Sequence, residues 1–136
     1  MRVVLDSNVF LSALLSEQGL PAQAVDAWRE GRFELVTSRE QIDELKRAAG
    51  YAKLQGLVTR AAVGRLVNGL QDAEILLARL PRMGAAPDPG DDFLLAMAVA
   101  AEADYLVTGD KALLSVRRFA STQIVTLRRF AVLTAL

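Results

Sequence analysis

Short apolar runs rich in β-branched residues alternate along this chain with longer segments of helical period, and that alternation leaves few folds open. Val3-Val4-Leu5, Phe33 to Thr37, Ala103 to Thr108 and Ile124-Val125-Thr126 read as strands, and helical segments separate them. Strands joined through helices pair in parallel, because the helix carries the chain back to the end of the sheet where the first strand began. The expectation is an α/β sandwich around a central, mainly parallel sheet. With 136 residues, 52% of them hydrophobic, the chain has enough for one domain with a buried core and little left over for a second.

Local signals set expected boundaries for the helices. An amphipathic segment runs from Val9 to Leu15, and Pro21 suits a first helical residue before Ala22 to Glu30, with Gly31 as the stop. Ser38 followed by Gln41 has the capping-box spacing, which predicts a helix from Arg39 to Ala49 ending at Gly50. Between Thr59 and Leu80 the residues Ala62, Val63, Leu66, Val67 and Leu70 recur at helical spacing, so a long helix or helical hairpin is expected there and no strand before Pro89. Pro81, Gly84, Pro87, Pro89 and Gly90 mark a loop, after which Asp91 or Asp92 caps a very apolar helix through Ala101. A short turn or helix follows Asp110, and a last helix reaches Ala135.

Two absences narrow the chemistry. Without cysteine there are no disulfides, thiolate metal sites or thiol nucleophiles; without histidine there is no Ser-His-Asp triad and no imidazole zinc site. Acid–base work falls to carboxylates, Lys, Tyr or metal-bound water. Lys and Arg number 16 against 16 Asp and Glu, so net charge announces no partner, yet beyond Asp110 the chain carries Lys111, Arg117, Arg118, Arg128 and Arg129 and no acid. That basic end suits phosphate contact as well as it suits solvated helix faces. Asp6 interrupts what would be the apolar core of a secretory signal, and no apolar stretch approaches membrane-spanning length, so the chain reads as cytoplasmic, with no membrane partner.

The candidate site residues are acids. In an open α/β sheet, ligands collect beyond the carboxyl ends of the strands, and there Asp6 ends the first strand while Asp110 follows Thr108. Asp92 begins a helix apolar enough to be pinned against the sheet, and Glu44 lies beside the apolar stripe of its own helix. Each has a plainer reading: Asp6, Asp91 or Asp92 as a helix cap, Asp110 as a turn residue, Glu44 as one surface acid beside Glu40 and Asp43. Asn8 and Thr108 could orient the acids by hydrogen bonds, and Lys111 could meet a phosphate. Converging acids repel, and a hard cation such as Mg²⁺ or Mn²⁺ relieves that repulsion with oxygen ligands; phosphodiester hydrolysis is the matching reaction class.

These residues also carry a family resemblance. Val3-Val4-Leu5-Asp6-Ser7-Asn8-Val9 resembles the opening strand and Asp-Thr-Asn-Val motif of PIN domains, with Ser7 in place of Thr. Ile42-Asp43-Glu44-Leu45 resembles their helical Glu-Leu element, Asp92-Phe93-Leu94-Leu95-Ala96 their central Asp helix, and Val107-Thr108-Gly109-Asp110 their closing Thr-x-Asp element. Gly90 stands where related sequences often carry another acid. The four motifs follow in order and look most like the bacterial VapC-type ribonucleases, toxins held inactive by an antitoxin. The resemblance implies a three-layer α/β/α sandwich and an RNA endonuclease that binds Mg²⁺ or Mn²⁺. It further implies metal ligation by Asp6, Asp92 and Asp110, a ligand or base role for Glu44, support from Asn8 and Thr108, an antitoxin partner and a homodimer. The competing readings are a catalytically silent PIN-like binding module, a PIN nuclease acting in RNA maturation or on DNA, and a phosphotransfer domain with Asp6 as nucleophile. Asn8 stands where one phosphotransfer family would need an aspartate, and the paired acids another would need are missing.

Overall fold

The computed structural model describes residues 1–136. Its elements run β1 (Arg2–Leu5), α1 (Ser7–Leu15), α2 (Leu20–Arg29), β2 (Glu34–Ser38), α3 (Arg39–Leu54), α4 (Arg60–Gln71), β3 (Ile75–Leu77), α5 (Asp92–Ala100), β4 (Tyr105–Val107), α6 (Lys111–Val116), β5 (Arg118–Phe119), β6 (Thr122–Val125) and α7 (Leu127–Thr134). A single 3-10 turn, Pro89–Asp91, leads into α5. The sheet order is β3-β2-β1-β4-β6-β5. Every pairing is parallel except β5 with β6, which form a small antiparallel hairpin at one edge.

Three layers follow from the alternation of side chains along each strand. Val3, Leu5, Leu35 and Val107 face one side, where α1, α2, α3, α4 and α7 pack through residues such as Phe10, Trp28, Leu45, Leu66 and Phe130. Val4, Val36, Leu106 and Ile124 face the other, against α5 and Leu113 of α6. The central strands β1 and β4 are thus apolar on both faces, as expected of parallel strands covered twice. The expected sandwich with a mainly parallel sheet is the observed fold. No helix is long and apolar enough to cross a membrane.

Three local expectations are corrected. The helical stretch from Thr59 stops at Gln71, and Ile75–Leu77 forms a short edge strand parallel to β2 where none was expected. Its residues are only half-buried, so it lacks the β-branched run that marks the central strands. Helix α3 continues through Gly50 to Leu54, because the chain is turned instead at Gly56, which takes φ +71°. The last strand begins at Thr122 instead of Ile124 and pairs with the two-residue β5 in a hairpin.

Gly50 therefore sits inside a helix with no heavy atom within 4 Å of where a Cβ would stand. Gly50→Ala is expected to stabilise the protein by about 0.5–1 kcal/mol. Gly56→Ala, placed at positive φ, should destabilise it by a similar amount, and urea denaturation of the two variants would read both signs.

Candidate active site

β1 and β4 lie side by side at the centre of the sheet, and the order runs outward from them in opposite directions, to β2 and β3 on one side and β6 on the other. A crevice opens at the carboxyl ends of strands at such a reversal. Asp6, first residue after β1, extends the ladder by donating its backbone N–H to the Val107 carbonyl at 2.9 Å, which fixes its Cα against β4. The residue is 7% exposed. One carboxylate oxygen accepts the Asn8 backbone N–H at 3.2 Å as the cap of α1, and the other accepts the Thr108 hydroxyl at 2.7 Å. That hydroxyl accepts the Asp110 backbone N–H at 3.0 Å, so the buried Thr108 joins the turns after β1 and β4. Asp110 caps α6 through the Ala112 N–H at 3.3 Å. Capping and chemistry are compatible here, since each carboxylate oxygen carries two lone pairs and can accept a hydrogen bond while still facing a cation.

The two acids at the start of α5 divide their tasks, and not as the sequence suggested. Asp92 is committed to the preceding loop: its oxygens accept the backbone N–H groups of Met83 at 2.8 Å, Ala85 at 3.0 Å and Ala86 at 3.4 Å. Those donors, Ala85 first, hold its carboxyl below the usual carboxylate range. It is Asp91, the cap residue of α5 with no side-chain cap bond of its own, that meets the other acids. Its carboxyl is pushed up to about 6 by burial, by hydrogen bonding to and repulsion from Asp110, and by repulsion from Asp6 and Asp88. Asp91 is therefore the acid of this pair that faces Asp110 and Asp6, while Asp92 faces the loop. Asp92 borders a groove of about 530 Å³ lined also by Glu40, Pro81, Arg82 and Phe93, and its hold on residues 83–86 shapes the groove wall. Asp92→Asn should loosen that loop, read as faster amide exchange at Met83 and Ala85, while Asp91 and its neighbours stay in place and any cleavage stays within about 10-fold of wild type.

Glu44 reaches the same crevice from α3. Burial first, and then repulsion from Asp6, raise its carboxyl, while the Ser7 hydroxyl, donating to Oε2 at 3.5 Å, and Arg47 oppose the rise. Asn8 is exposed and contributes its backbone N–H, not its side chain, to Asp6. Lys111 is exposed on the first turn of α6, next to Asp110. The basic C-terminal residues separate: Arg128 and Arg129 lie in the first turn of α7, beyond the carboxyl end of β6, whereas Arg118 pairs with Gln123 near the opposite end of that strand. One polar residue near the site was read only as a helix-start signal. Gln41 is fully buried, and its amide donates to the Leu5 carbonyl and accepts the Thr37 hydroxyl.

The acids face one another in a series, Glu44 to Asp6, Asp6 to Asp91, Asp91 to Asp110, and no base is among the groups that shift Asp91. No three of them are grouped closely enough to hold an ion as they stand. The donor chemistry nonetheless fits a hard divalent cation, being entirely carboxylate oxygen under mutual repulsion. Residues 2–112, from β1 into α6, match a family model described as PIN domain, and every acid of the series lies within them. An uncharacterized protein of Methanocaldococcus jannaschii is 25% identical over 118 residues, which cover 86% of this chain and 76% of that one. No solved structure matches.

Proposed function

The chain belongs to the PIN-domain family, whose members are generally nucleases, and from that premise we propose that it is a metal-dependent endoribonuclease cleaving RNA phosphodiester bonds. The observation that carries the reading is the series of mutually repelling acids, Glu44 to Asp6, Asp6 to Asp91 and Asp91 to Asp110, at the reversal point of a parallel sheet. Asp6, Glu44, Asp91 and Asp110 would hold Mg²⁺ or Mn²⁺. When bound, such an ion supplies Lewis acidity toward a phosphate oxygen and toward water.

The chain's own groups have distinct parts. Thr108 keeps Asp6 in one rotamer by donating to one oxygen, and the Asn8 N–H fixes the other. Glu44, facing Asp6 from α3, would serve either as a ligand of the ion or as the base that takes up a proton. Lys111, Arg128 and Arg129 flank the same edge of the sheet and suit the phosphates of a bound strand. Cleavage of a panel of single-stranded and structured RNAs with Mn²⁺, Mg²⁺ or EDTA tests this. Metal-dependent cleavage supports the reading, and absence of both cleavage and Mn²⁺ binding would overturn it in favour of a silent binding module.

The finer part of the proposal is a toxin restrained by an antitoxin and acting as a homodimer in the cytoplasm. It rests on the likeness of the four motifs to VapC-type ribonucleases. Growth arrest on expression, relieved by Asp6→Asn, would support the toxin role, and sedimentation velocity reads the dimer.

A further inference from the structure

Ser38 and Gln41 have the spacing of a capping box, yet only half of the box forms. The Ser38 hydroxyl accepts the Gln41 backbone N–H at 3.1 Å, but the Gln41 side chain turns inward instead of returning to the Ser38 backbone. Its Nε2 donates to the Leu5 carbonyl at 2.7 Å and lies 3.5 Å from the Ser7 hydroxyl, and its Oε1 accepts the Thr37 hydroxyl at 2.6 Å. Leu5 and Ser7 are the residues on either side of Asp6, and the Ser7 hydroxyl reaches Glu44. Gln41 and Glu44 stand three apart on α3 and so share a face. The amide is fully buried, where a leucine would serve packing alone, and it satisfies donor and acceptor at once.

We propose that Gln41 is a positioning residue of the site, whose amide, relayed by Ser7, sets how the Asp6 and Glu44 carboxylates face each other. The proposal rests on the reading that these acids hold a divalent cation. Gln41 holds the backbone just before Asp6 and reaches Glu44 through Ser7, and groups that orient ligands from behind commonly tune metal affinity.

The test uses the full chain with Gln41→Met, which removes both polar functions, and Gln41→Glu, which keeps the acceptor for Thr37 and loses the donor to Leu5. Three readouts are taken: Mn²⁺ affinity by calorimetry, kcat and KM on a cleaved RNA, and amide NMR signals of Ser7 and Glu44. The expected result is about a 10- to 100-fold loss of Mn²⁺ affinity, a fall in kcat with KM little changed, and displaced Ser7 and Glu44 signals while those of β6 and α7 hold. If Gln41→Met does not fold, Gln41→Glu decides. A folded variant with wild-type Mn²⁺ affinity and unmoved Ser7 and Glu44 signals overturns the proposal. Should the wild type neither bind Mn²⁺ nor cleave RNA, the cation reading falls with it, and the amide signals alone then decide whether Gln41 holds the two segments together.

Discussion

Asp91→Asn is expected to make the protein more stable at neutral pH and to abolish its metal-dependent cleavage. The folded carboxyl titrates at about 6 against an ordinary 3.8, so between those values the folded state binds a proton that the unfolded chain releases. Stability therefore falls as pH rises through that window, and the penalty is complete above about 6. Asparagine removes the charge while keeping the shape. Because the pair with Asp110 is partly open to water, the gain at pH 7.5 is discounted to about 1 kcal/mol, and at pH 4 variant and wild type should melt together. Cleavage should vanish, because a neutral amide is a poor ligand for a hard cation. Thermal melts at the two pH values and a Mn²⁺ cleavage assay check both halves. Wild-type cleavage by the variant would remove Asp91 from the site, and a lower melting temperature at pH 7.5 would show that the repulsion is absent. Saturating Mn²⁺, at 100 times its Kd, should raise wild-type stability by about 2.7 kcal/mol and leave the variant nearly unchanged.

Thr108→Val should carry the next largest effect. Valine fills the same volume but withdraws the hydroxyl that donates to Asp6 in a buried setting and accepts from Asp110 in a part-buried one. One carboxylate oxygen and one N–H lose their partner, at a cost of about 1–3 kcal/mol. Asp6 is then held only from the Asn8 side, and cleavage should drop about 100-fold. Thr108→Ser, which restores the hydroxyl, should recover most of both. Equal activity in Thr108→Val and wild type would mean that the Asp6 rotamer is fixed by something else.

Much of the architecture was legible because the central strands state their burial outright. Val3-Val4-Leu5 is apolar at consecutive positions, which only a strand covered on both faces needs, and the acid that ends it could be placed at the carboxyl edge without coordinates. β3 was not legible because Ile75-Leu76-Leu77 has neither the length nor the alternation that separates an edge strand from a continuing helix. Gly50 misled because a helical glycine costs only about 1 kcal/mol relative to alanine, and the left-handed residue that turns the chain is Gly56. Asp91 and Asp92 are adjacent and chemically identical. What separates them is the path of residues 83–86, whose backbone N–H groups claim Asp92, and no side-chain pattern encodes that path. Gln41 escaped for a related reason, since its capping-box spacing supplied a sufficient local explanation and its tertiary partners are 34 and 36 positions away.

The strands at the margins of the sheet have a bearing on how the molecule keeps company. One margin is the three-residue β3 and the other the two-residue β5. Neither offers a foreign chain more than a few unpaired backbone groups in a row, so both discourage the strand-upon-strand growth that seeds aggregates. Whatever docks on this protein must therefore recognise its helices and loops.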